Sequence, residues 1–212
     1  MAVIRYLPRR YVEAFFKTGK LRLASFEGFR GHQDHERGDL REGRGGIEVT
    51  TPDSRHAAVV TFGQEAYILC ASLRRSDALA AQFGVDAAIE IVDLDAFSQV
   101  IAQAIEGCLV RTQGPCVYVD EPILRFHAQS WPHPPENEAA AESWSEEYER
   151  WLGAMAGPLA FRKSSQFEAQ AEYRFVWYAG GRQRSSIQVE VRSALKFCKA
   201  VAFSPIRVSA SS

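Results

Sequence analysis

One segment near the carboxyl end constrains the fold of this chain more than any other. In EYRFVWY, residues 172–178, an aromatic residue stands at every second position. Because successive side chains of a strand point to opposite faces, the aromatic residues share one face, and these are Tyr173, Phe175 and Trp177. The same spacing puts on the other face Gln170, Glu172 and Arg174. The pattern predicts a strand with an aromatic side in the core and a polar side available for chemistry.

Other extended segments predict that this strand belongs to a larger sheet. Apolar or alternating runs occur at residues 2–7, 20–26, 56–62, 65–72, 89–94, 115–122 and 199–208. Helical spacing occurs at 9–19, where Gly19 ends the helix, at 96–107 and at 138–155. Gly180 and Gly181 predict a hairpin turn directly after the aromatic strand. Strands outnumber helices without a regular βαβ order, so we expect an α+β fold with a mixed or largely antiparallel sheet and flanking helices.

Length and composition favour a single domain over residues 1–212. Of the 212 residues, 46% are hydrophobic and 24% are charged, which suffices for one buried core. Within this domain, residues 27–46 are rich in charges and glycines and predict a long exposed loop. Residues 128–160 combine a proline-broken connection with a helix that Asn137 can cap. The formal net charge of −1 gives no overall basic field, which disfavours a reader of duplex DNA.

The cysteines and the first residues indicate a cytoplasmic protein. The cysteines are widely spaced, form no CxxC pair and stand beside apolar residues. They are Cys70, Cys108, Cys116 and Cys198. Such thiols are usually buried and reduced. The opening MAVIRYLPRRYVEAFF is interrupted by proline and charged residues, so it matches neither a signal peptide nor a membrane span. We therefore expect no membrane partner.

Polar residues on other predicted strands are candidates to join Glu172 in one cleft. Arg5 and Tyr6 are neighbours on the first strand, so only one of them faces a ligand, and the sequence leaves open which. Ser25 stands near the end of the second strand, and Ser72 ends a later one. The sequence does not choose between the two serines.

The order of these parts resembles the ADP-ribosyltransferase superfamily, in the group with an arginine on the first strand, a serine-bearing strand and a late Q/E-x-E pair. The likeness is carried by IRY at residues 4–6, LASF at 23–26 and QAE at 170–172. It implies an ADP-ribosyltransferase-like fold and a glycosyltransferase-class reaction with NAD as a substrate. A full Ser-Thr-Ser signature is missing, and the first strand lacks the histidine of the His-Tyr-Glu group.

The resemblance implies a catalytic role for Glu172. Cleavage of the nicotinamide glycosidic bond passes through an oxocarbenium-like cation, which a fixed carboxylate stabilises. Gln170 is implied to orient the acceptor, and Ser25 or Ser72 to hold the glutamate or the nicotinamide ribose. The implied partner is a macromolecular acceptor, either protein or nucleic acid. A role as a bacterial toxin or as an antiviral, phage-defence effector would add a neutralising antitoxin.

The resemblance also implies residues that bind NAD. Arg5 would clamp the phosphates with two parallel hydrogen bonds, or Tyr6 would instead stack on nicotinamide. A second likeness is to uncharacterised bacterial proteins with a G-x-L-R-x-x-S-F opening, R-G-D and E-G motifs and an E-x-R ending. It makes Arg37, Asp39 and Glu42 a recurring set. These residues are expected to tie down the long loop or to line the NAD cleft.

Two interpretations from other functional classes compete with ADP-ribose transfer. The first is a non-catalytic nucleotide-binding or protein-interaction module that keeps this fold without turnover. Glu172 beside an arginine also fits a surface cross-strand pair with no role in chemistry. For a partly exposed strand glutamate we expect Glu172→Gln to leave folding intact. The second reading is a metal-dependent nuclease or hydrolase, whose ligand types would come from His32, Asp34, His35 and Glu36. An irregular loop enforces no ligand geometry, so no metal is expected.

Overall fold

A computed structural model describes residues 1–30, 41–129, 138–180 and 184–203, with only the backbone described for 138–142. The strands are β1 (Val3–Leu7), β2 (Lys20–Ser25), β3 (Arg44–Thr50), β4 (Arg55–Thr61), β5 (Ala66–Ser72), β6 (Ala87–Ile91), β7 (Val110–Pro115), β8 (Val117–Val119), β9 (Ile123–His127), β10 (Arg162–Ser164), β11 (Glu172–Tyr178), β12 (Ser186–Glu190) and β13 (Cys198–Ala202). The α-helices are α1 (Arg9–Thr18), α2 (Phe26–Arg30), α3 (Asp77–Gln82), α4 (Leu94–Ala102) and α5 (Glu138–Ala156). Short 3₁₀ helices are Gly157–Phe161, Ser165–Gln170 and Arg192–Phe197.

The main sheet has eight strands and is organised around β5. β11 pairs with β5 along its whole length, from Glu172 opposite Ser72 to Tyr178 opposite Ala66. β1 and β2 therefore share the other edge of β5, where β1 pairs at its end and β2 near its start. From there the sheet divides into two branches, β1–β6–β13 and β2–β12, while β7 extends it beyond β11. Every pairing in this sheet is antiparallel. The fold is a mixed α+β domain with an antiparallel main sheet, as the sequence predicts.

The aromatic face of β11 lies in the main hydrophobic core, which confirms the prediction from its alternating pattern. Phe175 and Trp177 are 0% exposed, and Tyr173 is buried beside them. α1 and α4 cover this face, and the rings of Phe97 in α4 and Phe175 pack edge to face with centroids 5.4 Å apart. Buried aromatic side chains remove large apolar areas from water and so contribute strongly to the stability of the core.

α1 shows how the local sequence sets the path of the chain between β1 and β2. Its apolar stripe places Phe15 in the main core. The helix ends where Gly19 adopts a φ of 76°, a conformation that favours glycine. A Cβ at Gly19 would lie 2.7 Å from the backbone nitrogen of Arg192, so space as well as backbone conformation requires glycine here. The predicted helix 9–19 with its glycine cap is confirmed.

The opposite face of β11 is covered by the chain that follows α5. Ala160, in the 3₁₀ helix Gly157–Phe161, packs with Ile68 of β5 and Val176 of β11. β10 then pairs in parallel with β8. Beyond this layer, β3 pairs with β4 and in parallel with β9, and this small sheet packs against Leu159 and the end of α5. Residues 157–170 are thereby held against the polar face of β11.

Several local predictions differ from the structure. The predicted hairpin after the aromatic strand is wrong, because β11 pairs with β5 and β7 while β12 pairs with β2. The predicted loop at 27–46 is shorter at both ends, since α2 runs to Arg30 and β3 begins at Arg44. Strands β7 and β9 and helix α3 have no counterpart in the prediction. The proposed cap Asn137 lies outside the described residues.

Candidate functional site

A row of residues crosses three neighbouring strands and defines the site. Ile4 of β1 and Glu172 of β11 both lie opposite Ser72 of β5. Residues directly opposite each other in an antiparallel pair project from the same face, so all three share the face away from α1 and α4. They border a small cavity of about 80 Å³. Its lining consists of Ile4, Tyr6, Cys70, Ala71, Ser72, Phe83, Gln170 and Glu172.

Glu172 lies at the centre of a buried ion network. Its Oε1 accepts a hydrogen bond from Nε of Arg174 at 2.5 Å, and its Oε2 accepts one from Nζ of Lys163. Only 5% of Glu172 is exposed, with 6% of Lys163 and 0% of Arg174. The expectation that Glu172 is partly exposed is therefore wrong, and so is the rival interpretation of a surface pair. The polar face of the strand is a buried, charged layer because residues 157–170 cover it.

Glu42 balances the charge of this network. Its Oε1 lies 2.7 Å from Nη1 of Arg174, and the same Nη1 donates to the carbonyl oxygen of Ala160 at 2.6 Å. Two carboxylates and two cations are thus buried together, and they are Glu42, Glu172, Lys163 and Arg174. Buried charges are tolerated when they are paired in this way. The ion pair also ties down the end of the 27–46 segment, which is one of the two roles that the second likeness left open for Glu42.

The network keeps the carboxyl of Glu172 ionised. Burial alone raises its pKa, but attraction to Arg174 and Lys163 outweighs burial and lowers the pKa below the ordinary value of 4.5. Desolvation likewise opposes the charge of Lys163, yet attraction to Glu172 and Glu42 raises its pKa above 10.5. The site therefore offers a carboxylate that is charged at neutral pH, which suits the stabilisation of a developing cation.

Gln170 reaches the cavity from a turn and not from the strand. It ends the 3₁₀ helix Ser165–Gln170, and Ala171 then adopts a left-handed conformation with a φ of 44° before β11 begins. Ser72 Oγ donates to the carbonyl oxygen of Gln170 at 2.7 Å, and Lys163 Nζ donates to its Oε1 at 3.1 Å. The prediction that Gln170 lies on the strand is wrong, but the turn still brings it beside Glu172.

Tyr6 is the member of the Arg5–Tyr6 pair that faces the cavity. Its ring packs against Phe83 and Phe203, with centroids 5.6 and 5.2 Å away. Its hydroxyl donates to the carbonyl oxygen of Arg74 at 2.8 Å and accepts from the backbone nitrogen of Ser76. Tyr6 thus anchors the chain after β5 at the rim of the cavity.

Arg5 projects from the other face of β1. It lies opposite Ile89, a residue of the main core, and its Nη2 donates to the carbonyl oxygen of Arg22 at 3.2 Å. The expectation that Arg5 and Glu172 line one cleft is wrong. Alternation along β1 puts Ile4 and Tyr6 on the face of Glu172, and so it turns Arg5 away.

Of the two candidate serines, the structure brings only Ser72 to Glu172. Ser25 lies opposite Tyr67, a core residue, and is 1% exposed. Its Oγ accepts a hydrogen bond from the backbone nitrogen of Gly28 at 3.1 Å, as a cap at the start of α2 does. Ser25 is therefore positioned to stabilise a helix end.

No family model, curated protein or solved structure matches this chain. In the described ranges, no helix is both long and apolar enough to cross a membrane.

Other candidates lie outside the described residues. This holds for Arg37 and Asp39 and for the metal-ligand candidates His32, Asp34, His35 and Glu36. Within residues 1–30, 41–129, 138–180 and 184–203, no three His, Cys, Asp or Glu side chains are placed to hold a metal ion. Desolvation raises the pKa of the thiols Cys70 and Cys116, which disfavours a thiolate nucleophile.

Lys163 and Tyr118 belong to the site but were not found by sequence reasoning. They lie opposite each other in the β8–β10 pair, and the Tyr118 hydroxyl accepts a hydrogen bond from the backbone nitrogen of Glu172 at 2.6 Å. Burial raises the pKa of Tyr118 to about 12. Neither residue stands in a recognisable motif. The sequence carries no signal for them, because the polar face of β11 needs compensating charges only if it is buried, and burial is decided by the tertiary structure.

A wider groove lies at the far end of β11. It has a volume of about 830 Å³ and is bordered by Phe62, Glu65 and Tyr178, with Glu146 and Glu149 of α5 on its other side. Tyr178 and Glu172 end the same strand, so the groove lies about 20 Å from the cavity. It is separate from the candidate site.

Proposed function

We propose that this chain cleaves NAD and transfers ADP-ribose to a macromolecular acceptor. The supporting observation is that Tyr6, Ser72, Gln170 and Glu172 border one cavity, although they come from β1, β5, the turn before β11 and β11 itself. An aromatic ring, an amide and an ionised carboxylate around one space are the groups that this reaction requires. The paired charges around Glu172 hold its carboxylate in a defined orientation.

Each residue then has a role that follows from its contacts. Breakage of the bond between nicotinamide and ribose leaves the electron pair on nicotinamide and positive charge on the ribose, which Glu172 stabilises. A lone pair of the acceptor, oriented by Gln170, forms the new bond to the ribose, and the acceptor's proton passes to water. Ser72 holds the backbone of Gln170 in place, since its Oγ donates to that carbonyl.

The size of the cavity limits how NAD can bind. Pockets that enclose whole drug-sized ligands have volumes of about 300–1,000 Å³, whereas this cavity has about 80 Å³. Only the nicotinamide end of NAD therefore enters it, beside Tyr6, and the phosphates lie outside. Arg74 and Arg75 follow Ser72 and are exposed, so they are suited to contact phosphate oxygens in place of Arg5.

Transfer of label from NAD tests this function directly. Purified protein is incubated with NAD labelled in the adenylate moiety and with a bacterial lysate, and label is measured in protein and in nucleic acid. Glu172→Asp keeps the charge but withdraws the carboxylate, so label transfer should fall about a hundred- to a thousandfold. Glu168→Asp, the same change at an exposed glutamate nearby, is the matched control and should be as active as the wild type. Equal activity of Glu172→Asp and the wild type would remove Glu172 from the reaction.

A non-catalytic nucleotide-binding or protein-interaction module is the second candidate. It is favoured by one observation: both oxygens of Glu172 already accept hydrogen bonds from cations. A ribose hydroxyl would have to share these oxygens. The module predicts that NAD binds without release of nicotinamide, which chromatography of the incubated NAD distinguishes from cleavage.

We further propose a toxin or phage-defence role in the bacterial cytoplasm, which follows from the proposed chemistry. Expression in bacteria should then arrest growth, and Glu172→Asp should relieve the arrest. If the Glu172→Asp variant arrests growth as strongly as the wild type, toxicity does not depend on ADP-ribose transfer.

A further inference from the structure

Lys163 contacts the two residues that the proposed reaction depends on most. Its Nζ donates to Oε1 of Gln170 at 3.1 Å and to Oε2 of Glu172. The same ammonium lies 4.8 Å from the centre of the Phe167 ring, which supports it through a cation–π contact. Lys163 is 6% exposed, so water does not compete for these contacts.

The chemistry of lysine fixes which atom of Gln170 it binds. An ammonium group has three donors and no acceptor, whereas an amide has one oxygen that accepts and one nitrogen that donates. Lys163 therefore binds the amide oxygen, and the amide nitrogen must point elsewhere. A rotated amide would place N–H groups against the ammonium. Lys163 thus sets the orientation of the side-chain amide of Gln170.

The backbone around Lys163 holds this arrangement in place. β10 pairs with β8 so that Lys163 lies opposite Tyr118, and the Tyr118 hydroxyl accepts from the backbone nitrogen of Glu172. The side chain and backbone of Glu172 are thereby both held from the same pair of strands.

We propose that Lys163 is a positioning residue that sets the amide of Gln170 and the carboxylate of Glu172 in the geometry needed for transfer. This role rests on the proposed function. Lys163 acts through its two partners and itself contacts neither NAD nor the acceptor.

The test compares Lys163→Met with two controls, the conservative variant Lys163→Arg and the core variant Val176→Ala. Methionine keeps most of the side chain but removes the donors and the charge, and kcat for transfer should fall about a hundredfold as the partners shift. Lys163→Arg restores charge and donors and should recover part of this loss. Val176→Ala removes core volume on the same face of β11 without touching a polar group, and it controls for destabilisation. All assays are run at a temperature where melting curves show every variant folded.

A pH profile separates positioning from a purely structural role. Lys163 is one of two cations that lower the pKa of Glu172. Its removal should therefore raise that pKa, and transfer by Lys163→Met should decline at a higher pH than transfer by the wild type. The acid side of the Val176→Ala profile should match that of the wild type. An unshifted Lys163→Met profile would overturn the role of Lys163.

A double-mutant cycle with Gln170→Ala tests the amide contact. If Lys163 acts partly through Gln170, Lys163→Met should cost less activity in the Gln170→Ala background than in the wild type. Equal costs in both backgrounds would contradict the inference. Absence of transfer by the wild type overturns the proposed function and the role of Lys163 together. An active wild type with an additive cycle overturns only the action of Lys163 through Gln170, and an unshifted pH profile overturns its action through Glu172.

Discussion

Replacing Glu172 with glutamine removes a negative charge that two buried cations share. The charges that remain in the network are those of Lys163, Arg174 and Glu42, so one positive charge loses its compensation. Breaking a buried ion pair by removing one partner costs about 3–5 kcal/mol, because the other charge stays in a poorly solvated environment. We expect Glu172→Gln to lower the free energy of unfolding by this amount.

The size of this loss determines how it is measured. For a chain of 212 residues, each kcal/mol lowers the melting temperature by about 2–4 °C, so we expect a fall of about 6–20 °C. Urea denaturation followed by far-ultraviolet circular dichroism gives the free energy, and a thermal scan gives the melting temperature. The variant should still fold, since domains are stable by about 5–15 kcal/mol.

Two controls make the result specific to the ion network. Glu168→Gln makes the same chemical change at an exposed position and should alter stability by less than about 0.5 kcal/mol. Lys163→Met combined with Glu172→Gln restores neutrality and should be less destabilised than the sum of the single variants. If Glu172→Gln is as stable as Glu168→Gln, the carboxylate is not buried among cations and the proposed network is incorrect.

Three further outcomes can be checked. Because the pKa of Glu172 in the folded protein lies below 4.5, the unfolded chain takes up this proton first, so stability should fall as the pH drops below 4.5. Glu172→Gln should lose less stability over that range in thermal scans. NAD should raise the melting temperature of the wild type, by the equivalent of about 2.7 kcal/mol at a hundred times its dissociation constant; a shift with zinc or manganese alone would favour the hydrolase. Arg5→Gln should leave the rise in melting temperature with NAD unchanged. If the substitution abolishes that rise, the phosphates of NAD bind on the other face of β1.

Some features of the candidate site follow from local sequence alone. Alternation in β11 separates Tyr173, Phe175 and Trp177 from Glu172 and Arg174, because side-chain direction in a strand depends only on position along it. It does not reveal whether the polar face is exposed. That depends on residues 157–170, which cover this face in the folded protein.

The local sequence does not predict which strands pair with each other. Gly180 and Gly181 are compatible with a hairpin, yet both edges of β11 are taken, one by β5, where Glu172 lies opposite Ser72, and the other by β7. A strand has two edges for backbone pairing, so none remains for β12, which pairs with β2 instead.

The sequence by itself determined that a strand with an aromatic and a polar face exists, that α1 ends at Gly19, and that Gln170 and Glu172 are two residues apart in the chain. The tertiary structure alone decided that Tyr6 and Ser72, rather than Arg5 and Ser25, join them. The physical reason is that periodicity records which residues share a face of one strand, whereas a site is made where faces of different strands meet. Lys163 illustrates this, since only the parallel pairing of β10 with β8 brings its ammonium to Glu172.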